Sequence, residues 1–459
     1  MDASRVSICF IALLLVDRAS GMISLSSMFA SGPSSIMLTQ SFGLAQGGVM
    51  NVAVQVTPTA NPSFTGSKPP TLSNTKYSQK SMGGYFLMLV LNDNQMGSWF
   101  PDIGTKDPSS VSRLCTQPAA VRHHLILDAN GQGNFTYTVP ASNQMGASTD
   151  AQYSVALLQC YNLKLAAVAL QVTAKTEMYN IQPTGAGKSY LSIDNVPKVR
   201  ILQGELIVYV LFVIVVIGQI LLSMKPWYVL KLHVLFAVTI LFGLALTAAT
   251  YGQQANLNNT GIDSPSVNTA VSVIDHFNTT TDLVCFLLLS MGWCTTRIAL
   301  SSREIKVISG VIALYFIIGM ALAVCSDPVS QTCQSLNLVT YILRNLILLG
   351  IIIAMNFTVT QLRAGLIHSP WIPSTPVQYA RVKQFQVFRI VFILYLLLPT
   401  AFLLVQSSFF SWKEAWIIFL LNDVLTLYMY FHIGATFAPL QEPFLIRGFD
   451  NTFTQQVRG

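Results

Sequence analysis

The stretch "LLLSMGWCTTR", Leu287 to Arg297, runs an apolar segment into a glycine, a tryptophan, two threonines and an arginine. A soluble core helix with an untidy end would read this way. So would a membrane span leaving the bilayer, with Trp293 among the headgroups and Arg297 in water. The rest of the chain decides between them. Of its residues 52% are hydrophobic and 10% are charged, and its mean hydropathy is +0.53. A soluble domain carries about 25% charged residues.

Six further apolar runs resemble this one. The set is Leu206–Ser223, Val229–Tyr251, Phe277–Thr295, Val307–Cys325, Leu338–Thr360, Val387–Val405 and Ala415–Gly434. A bilayer needs about 20 residues per span, and each run comes close to that length or exceeds it. The basic residues alternate between the connections. Lys225 and Lys231 follow the first run, Arg297, Arg303 and Lys306 the third, and Arg363, Arg381, Lys383 and Arg389 flank the fifth connection. Arg447 and Arg458 follow the seventh. The intervening loops hold none in 252–276 or 326–337, and only Lys413 in the last. This bias predicts a C-terminus in the cytosol and an N-terminal domain outside it. It also accounts for much of the net charge of +7 without nucleic acid. On this reading Trp293 anchors the cytosolic end of the third span, and Gly292 is expected to permit close helix packing.

The N-terminus agrees. Arg5, a short apolar run from Val6 to Val16 and the small residues Ala19-Ser20-Gly21 predict a signal peptide over 1–21. From 22 to 200 the texture is β. Apolar and polar residues alternate in "MNVAVQV" (50–56) and "NFTYTV" (134–139), whereas "YFLMLVL" (85–91), "YSVALL" (153–158) and "LAAVALQV" (165–172) read as more deeply buried strands. Asp128, Asn130, Gly131 and Gly133 mark a turn, and a Pro/Ser/Gly/Thr-rich stretch from Thr57 to Gly84 reads as a long surface loop. The expected fold is an α+β membrane protein: a lumenal antiparallel β-sandwich over 22–200, a seven-helix bundle over 201–436 and a cytosolic tail over 437–459.

Cys115 and Cys160 are the two cysteines of the sandwich region, and an oxidising lumen would pair them; two buried free thiols are the alternative. Cys325 and Cys333 flank one short loop and are placed to pair as well. Cys285 and Cys294 fall in the third run, as small buried hydrophobes. Asn134 in "NFT" and Asn258 in "NNT" are glycosylation acceptors that only a lumenal face would use.

Several features in order resemble a known family. "YSVALLQC" (153–160) closes a β-rich domain, and "GKSYLSIDNVPK" (187–198) precedes the first span. "LLLSMGWCTTRIAL" (287–300) supplies a glycine-aromatic turn. The last span has Trp412 before it and Trp416 at its start, contains Asp423 and is followed by "TFAPL" (436–440). This is similar to the GOLD-domain seven-transmembrane, or GOST, family, the group of Wntless and the lung seven-transmembrane receptors. Its usual aromatic-Arg-Pro ending has Ala438 in the arginine position here. The resemblance implies a GOLD-like sandwich and a Golgi or post-Golgi protein that moves secretory cargo or membrane proteins. It also implies a bundle cavity suited to lipid or a lipidated partner. The partners it implies are membrane lipid, a lumenal cargo or ligand, and cytosolic trafficking or G proteins, with no cofactor.

Charged groups within spans are costly and often functional. Asp282 lies in the third run, Arg344 and Asn345 in the fifth, and Asn422 and Asp423 in the seventh. Arg344 and Asp423 lie at depths of roughly 9 and 12 Å from the lumenal ends of their helices, from the helical rise. They are therefore read as meeting at one level, either as the polar floor of a lumenal cavity or as a structural pair that fixes helix register. Arg344 would alternatively snorkel outward. The histidines His233, His276, His368 and His432 have no metal-ligand spacing. The last span holds no lysine for a retinal Schiff base, and the third does not end in the Asp/Glu-Arg-aromatic triplet of rhodopsin-like receptors. A cargo-escort receptor, a signalling receptor and a channel or transporter remain as functions. The connection Gly365–Tyr379 and the tail are the expected cytosolic contacts.

Overall fold

A computed structural model describes residues 23–30, 34–39, 41–60, 86–92, 111, 113–115, 119, 121–128, 130–140, 151–160, 168–182, 187–222, 227–297, 299–325, 331–368 and 375–437. The signal-peptide region, most of the predicted loop and the tail beyond Phe437 lie outside these residues. Two compact units are present, one comprising 1–197 with 254–264 and the other 198–253 with 265–459.

The first unit is a pair of antiparallel five-stranded sheets. One has the order β1(Ile23–Ala30), β9(Val168–Ile181), β4(Val49–Ala60), β7(Gln132–Thr138), with β10(Lys188–Ser189) on β9. The other has β2(Ser34–Met37), β8(Ala151–Gln159), β5(Phe86–Asn92), β6(Val121–His124), with β3(Phe42–Leu44) on β8. Alternation works as expected in β4: Met50, Val52, Val54 and Val56 enter a core shared with Phe86, Met88 and Val90 of β5 and Val155 and Leu157 of β8. This strand runs on to Ala60, so Thr57–Ala60 are strand where the composition predicts a loop, and the rest of that stretch to Gly84 lies outside the described residues.

β5 and β8 read as continuous apolar runs because both of their faces are covered. The opposite face carries Leu87, Leu89, Leu91, Ala156 and Leu158 under Val111 and Leu114. A disulfide between Cys115 and Cys160, Cα atoms 5.8 Å apart, ties that cover to the end of β8. The predicted turn before β7 is closed by Asp128, whose Oδ1 accepts from the amides of Asn130 (2.9 Å) and Gln132 (2.7 Å). Gly131 takes the positive φ of +77° that this turn requires. Asn134 is exposed on β7. Asn258 is engaged, its Oδ1 accepting from Ser189 Oγ at 2.8 Å.

The second unit is helical: α1(Val196–Leu222), α2(Trp227–Thr260), α3(Pro265–Ser290), α4(Ser302–Ala323), α5(Gln331–His368), α6(Thr375–Phe409) and α7(Ala415–Thr436). All but α3 are long and apolar enough to cross a membrane. The exception has 26 residues, but its first half, "PSVNTAVSVIDHF", is polar, and His276, Thr280, Asp282, Leu283, Cys285, Phe286, Leu289 and Ser290 are buried. A helix that meets protein around much of its surface tolerates polar groups that lipid would reject.

Helices α5 and α6 contain 38 and 35 residues. At the helical rise they are roughly 57 and 52 Å long, well beyond a hydrocarbon core of about 30 Å. The expected long connection from Gly365 to Tyr379 is therefore mostly helix, and only 369–374 separate the two elements. A second disulfide joins Cys325 and Cys333 between α4 and α5.

The opening stretch ends its helix at Ser290, five residues before the expected Thr295. Gly292 donates to the Leu289 carbonyl (2.9 Å) and Trp293 to that of Leu288 (3.1 Å), with Gly292 at φ +74°. This is a Schellman stop, in which glycine supplies the left-handed residue and two terminal carbonyls are satisfied. Gly292 therefore serves the turn, and a Cβ there would meet Thr296 first, within the same loop. Cys294, expected inside the span, lies past its end at φ 59° and half-buried. The next helix opens on a capping box between Ser301 and Glu304.

Candidate functional site

The polar residues of the bundle converge around α3 and α7. Tyr430 is 1% exposed and donates its hydroxyl to Asp282 Oδ1 at 2.7 Å, in a site where Asp282 is 9% exposed. A buried carboxylate needs such a partner, because desolvation costs several kcal/mol and a charge-assisted bond returns about 1.5–3. Aromatic rings box this bond in. Tyr209 of α1 and Phe236 of α2 meet Tyr430 edge-on, at centroid distances of 6.3 and 6.4 Å. Four helices thus meet at one polar contact.

Other charges gather around it. Those of Glu205, Asp282 and Asp423 all act on Tyr209, and Glu205 is hydrogen-bonded to Thr247 of α2. The guanidinium of Arg344 acts on Asp275 and Asp282 of α3, on Tyr315 of α4 and on Tyr395 of α6. Arg344 and Asp275 are both exposed. Asn345 is also exposed and donates to the Tyr341 carbonyl one turn back, at 2.9 Å. Asn422 accepts from Thr426 through its backbone oxygen (3.0 Å), while its buried Oδ1 meets no donor among the described residues.

Of the residues singled out from sequence, Asp282 is therefore held by Tyr430 and lies within the field of Arg344, and the charge of Asp423 reaches Tyr209. Sequence reasoning missed Glu205, Tyr209, Asp275, Tyr395 and Tyr430. A signal existed for Glu205 and Asp275, which are carboxylates at the edges of apolar runs. Tyrosines inside such runs carry no distinctive pattern.

One helical turn further along lies an apolar cleft lined by Phe236, Cys285, Leu289, Ile433, Gly434 and Phe437, among others. His233 Nε2 sits 3.1 Å from the Phe437 carbonyl at its side. The end of the bundle that holds most of the basic residues is laced by polar bridges. Arg297 donates to Glu304 at the start of α4 (3.2 Å) and to Gln361 of α5 (2.7 Å). Arg389 of α6 donates to Asn356 of α5 (3.1 Å), and Gln384 of α6 to the Thr436 carbonyl of α7 (3.2 Å). Thr358 of α5 caps the Ser290 carbonyl of α3 at 2.9 Å. Among the described residues, no three His, Cys, Asp or Glu side chains gather into a metal site.

An N-terminal pair of antiparallel sheets followed by a seven-helix bundle with a polar interior defines a multi-pass membrane protein of the seven-transmembrane class. A family model described as the GOST seven-transmembrane domain matches residues 197–444, just over half of the chain, and the chain belongs to that family. Comparison with curated proteins returns no match.

Proposed function

We propose that this protein is a cargo-escort or trafficking receptor of the Golgi and post-Golgi membranes. In this reading the sandwich is lumenal and binds a protein ligand, the basic end of the bundle is cytosolic, and the polar interior receives lipid or a lipid-bearing partner. The chemistry is binding and release rather than catalysis.

The observation that carries the reading is the polar interior of a family seven-helix domain. Asp275 and Arg344 are exposed charges on helices of the bundle, and their fields reach the buried Asp282–Tyr430 bond. Charges in such positions line water-filled chambers or substrate paths in membrane proteins. Arg344 and Asp423 are proposed to belong to one chamber.

The test combines location with capture. A tagged chain should concentrate in Golgi puncta and co-purify with a secretory or membrane protein whose surface delivery falls when the chain is removed. Ligand-evoked G-protein activation at the plasma membrane would replace this reading with a signalling receptor. Ion conductance by the reconstituted chain, abolished by Asp282→Asn, would replace it with a channel. Within the escort reading, Arg344→Ala and Asp423→Ala should be non-additive in cargo delivery if they share the chamber. Strictly additive losses would separate them.

A further inference from the structure

The structure sorts the basic residues of the bundle into two kinds. Arg297, Arg381 and Arg389 are used internally, each donating to a neighbouring side chain. Arg303 and Lys306 are exposed, and neither side chain has a partner among the described residues; the Lys306 carbonyl accepts from Ser309 Oγ. They stand three apart at the start of α4, hence on one face, where like charges repel unless an anion lies between them. The neighbouring acid, Glu304, is already committed to the Ser301 cap and to Arg297.

The same face continues with Gly310, Leu314 and Ile317, spaced three and four residues apart in the helical pattern. All three are exposed, Leu314 by 50% and Ile317 by 65%. A Cβ on Gly310 would meet nothing within 4 Å, so the stripe has a notch directly below its two cations. Two positive charges, then a notch, then an exposed apolar strip match the outline of one lipid molecule with an anionic headgroup.

We propose that this stripe of α4 binds an anionic phospholipid. Its phosphate sits between Arg303 and Lys306, and one acyl chain lies in the Gly310 notch and along Leu314 and Ile317. Charge selects the occupant: a zwitterionic headgroup brings its own cation to a site that already has two, whereas a serine or inositol phosphodiester brings net negative charge. The Lys383 side chain of α6 is also exposed and without a partner among the described residues, but belongs to another helix, and serves as the control.

Native mass spectrometry of the full chain in detergent, with phosphatidylserine and phosphatidylcholine added in equal amounts, tests this independently of membrane orientation and of the escort reading. Wild type should retain phosphatidylserine in preference. R303Q/K306Q should lose that preference by about thirty-fold, the equivalent of two basic residues acting on an anionic lipid. K383Q should keep it. Gly310→Leu leaves both charges in place and fills the notch, so it should weaken retention at a melting temperature no lower than that of wild type. Soluble glycerophosphoserine should not displace the lipid. Equal retention of the two lipids by wild type, an unchanged preference in R303Q/K306Q, or displacement by glycerophosphoserine as readily as by phosphatidylserine would overturn the proposal. The last result would reveal a site for a free phosphate anion.

Discussion

In the sandwich, Met50, Val52, Val54 and Val56 alternate with more exposed neighbours and point into a core where each is at most 2% exposed. In the bundle, α4 presents Val307 at 66% and Ile317 at 65% exposure, while α3 buries His276, Thr280, Asp282 and Ser290. Water drives the first pattern, because apolar area leaves solvent at roughly 25 cal/mol per Å². Lipid removes that drive in the second. Apolar side chains can face outward there, and polar groups seek partners within the protein. An apolar run thus marks the inside of one unit and the outside of the other. The one helix of the seven without an apolar stretch long enough to span a membrane is consequently one that buries polar groups, and it carries the site.

The largest expected effect tests the water-built half. Replacing Cys115 and Cys160 by serine should cost about 2–5 kcal/mol in the sandwich, the usual loss for a small secreted domain. Thermal unfolding of the full chain would show the lower transition falling, and an unmoved transition would mean that the disulfide does not stabilise the domain. In the lipid-built half, Tyr430→Phe strands the Asp282 carboxylate and should cost about 1.5–3 kcal/mol. Tyr428→Phe, at a position 52% exposed, should change little. Equal effects of the two would dissolve the distinction between inside and outside.

Gly292→Ala should cost about 1–2 kcal/mol because the left-handed conformation penalises a Cβ. Gly310→Ala, on an open helical face, should be neutral or stabilise by up to about 1 kcal/mol. Thermal melts of the two variants would distinguish a turn glycine from a lipid-facing one.

The smallest effect is a pH dependence in the sandwich. Burial pushes Glu177 upward, but bonds from Lys188 Nζ and the Tyr190 hydroxyl, both at 2.7 Å, outweigh it and hold the carboxyl below its ordinary range. The bond to Glu177 in turn raises Lys188. The lowered acid stabilises the fold above its unfolded pKa and loses that contribution as pH falls through its folded one. The raised base contributes below its unfolded pKa and loses that as pH rises through its folded one. The pair therefore acts across the neutral range. With Lys188 47% exposed, it is worth under about 1 kcal/mol. Lys188→Met should flatten the acid limb of the stability curve, and an unchanged limb would remove Glu177 from it.

The sandwich was legible because period-two alternation and burial coincide in β4 and β7, and because double burial makes β5 and β8 continuously apolar. The spans were legible from length, and the bias of Arg297, Arg303 and Lys306 to one connection suggested an orientation. The site was legible only in part. Asp282 stands out in an apolar helix, but nothing in the spacing of Tyr430, 148 positions later, reports that the two meet. Depth along a helix follows from rise, whereas rotation about its axis depends on packing. Arg344 and Asp423 were therefore compared by depth alone, and the sequence carries no sign that the field of Arg344 reaches Asp275 and Asp282 of α3. Gly292 was read as a packing residue because the sequence does not reveal where its helix stops.

The inversion between the two units is tested most directly by labelling reconstituted chain from within the bilayer with a lipid-soluble diazirine, followed by peptide mapping. Label should accumulate on α4 at Val311, Leu314 and Ile317, and the segment of α3 from Asp282 to Leu289 should remain unlabelled. Label on Asp282–Leu289 equal to that on α4 would place α3 against lipid and contradict the account.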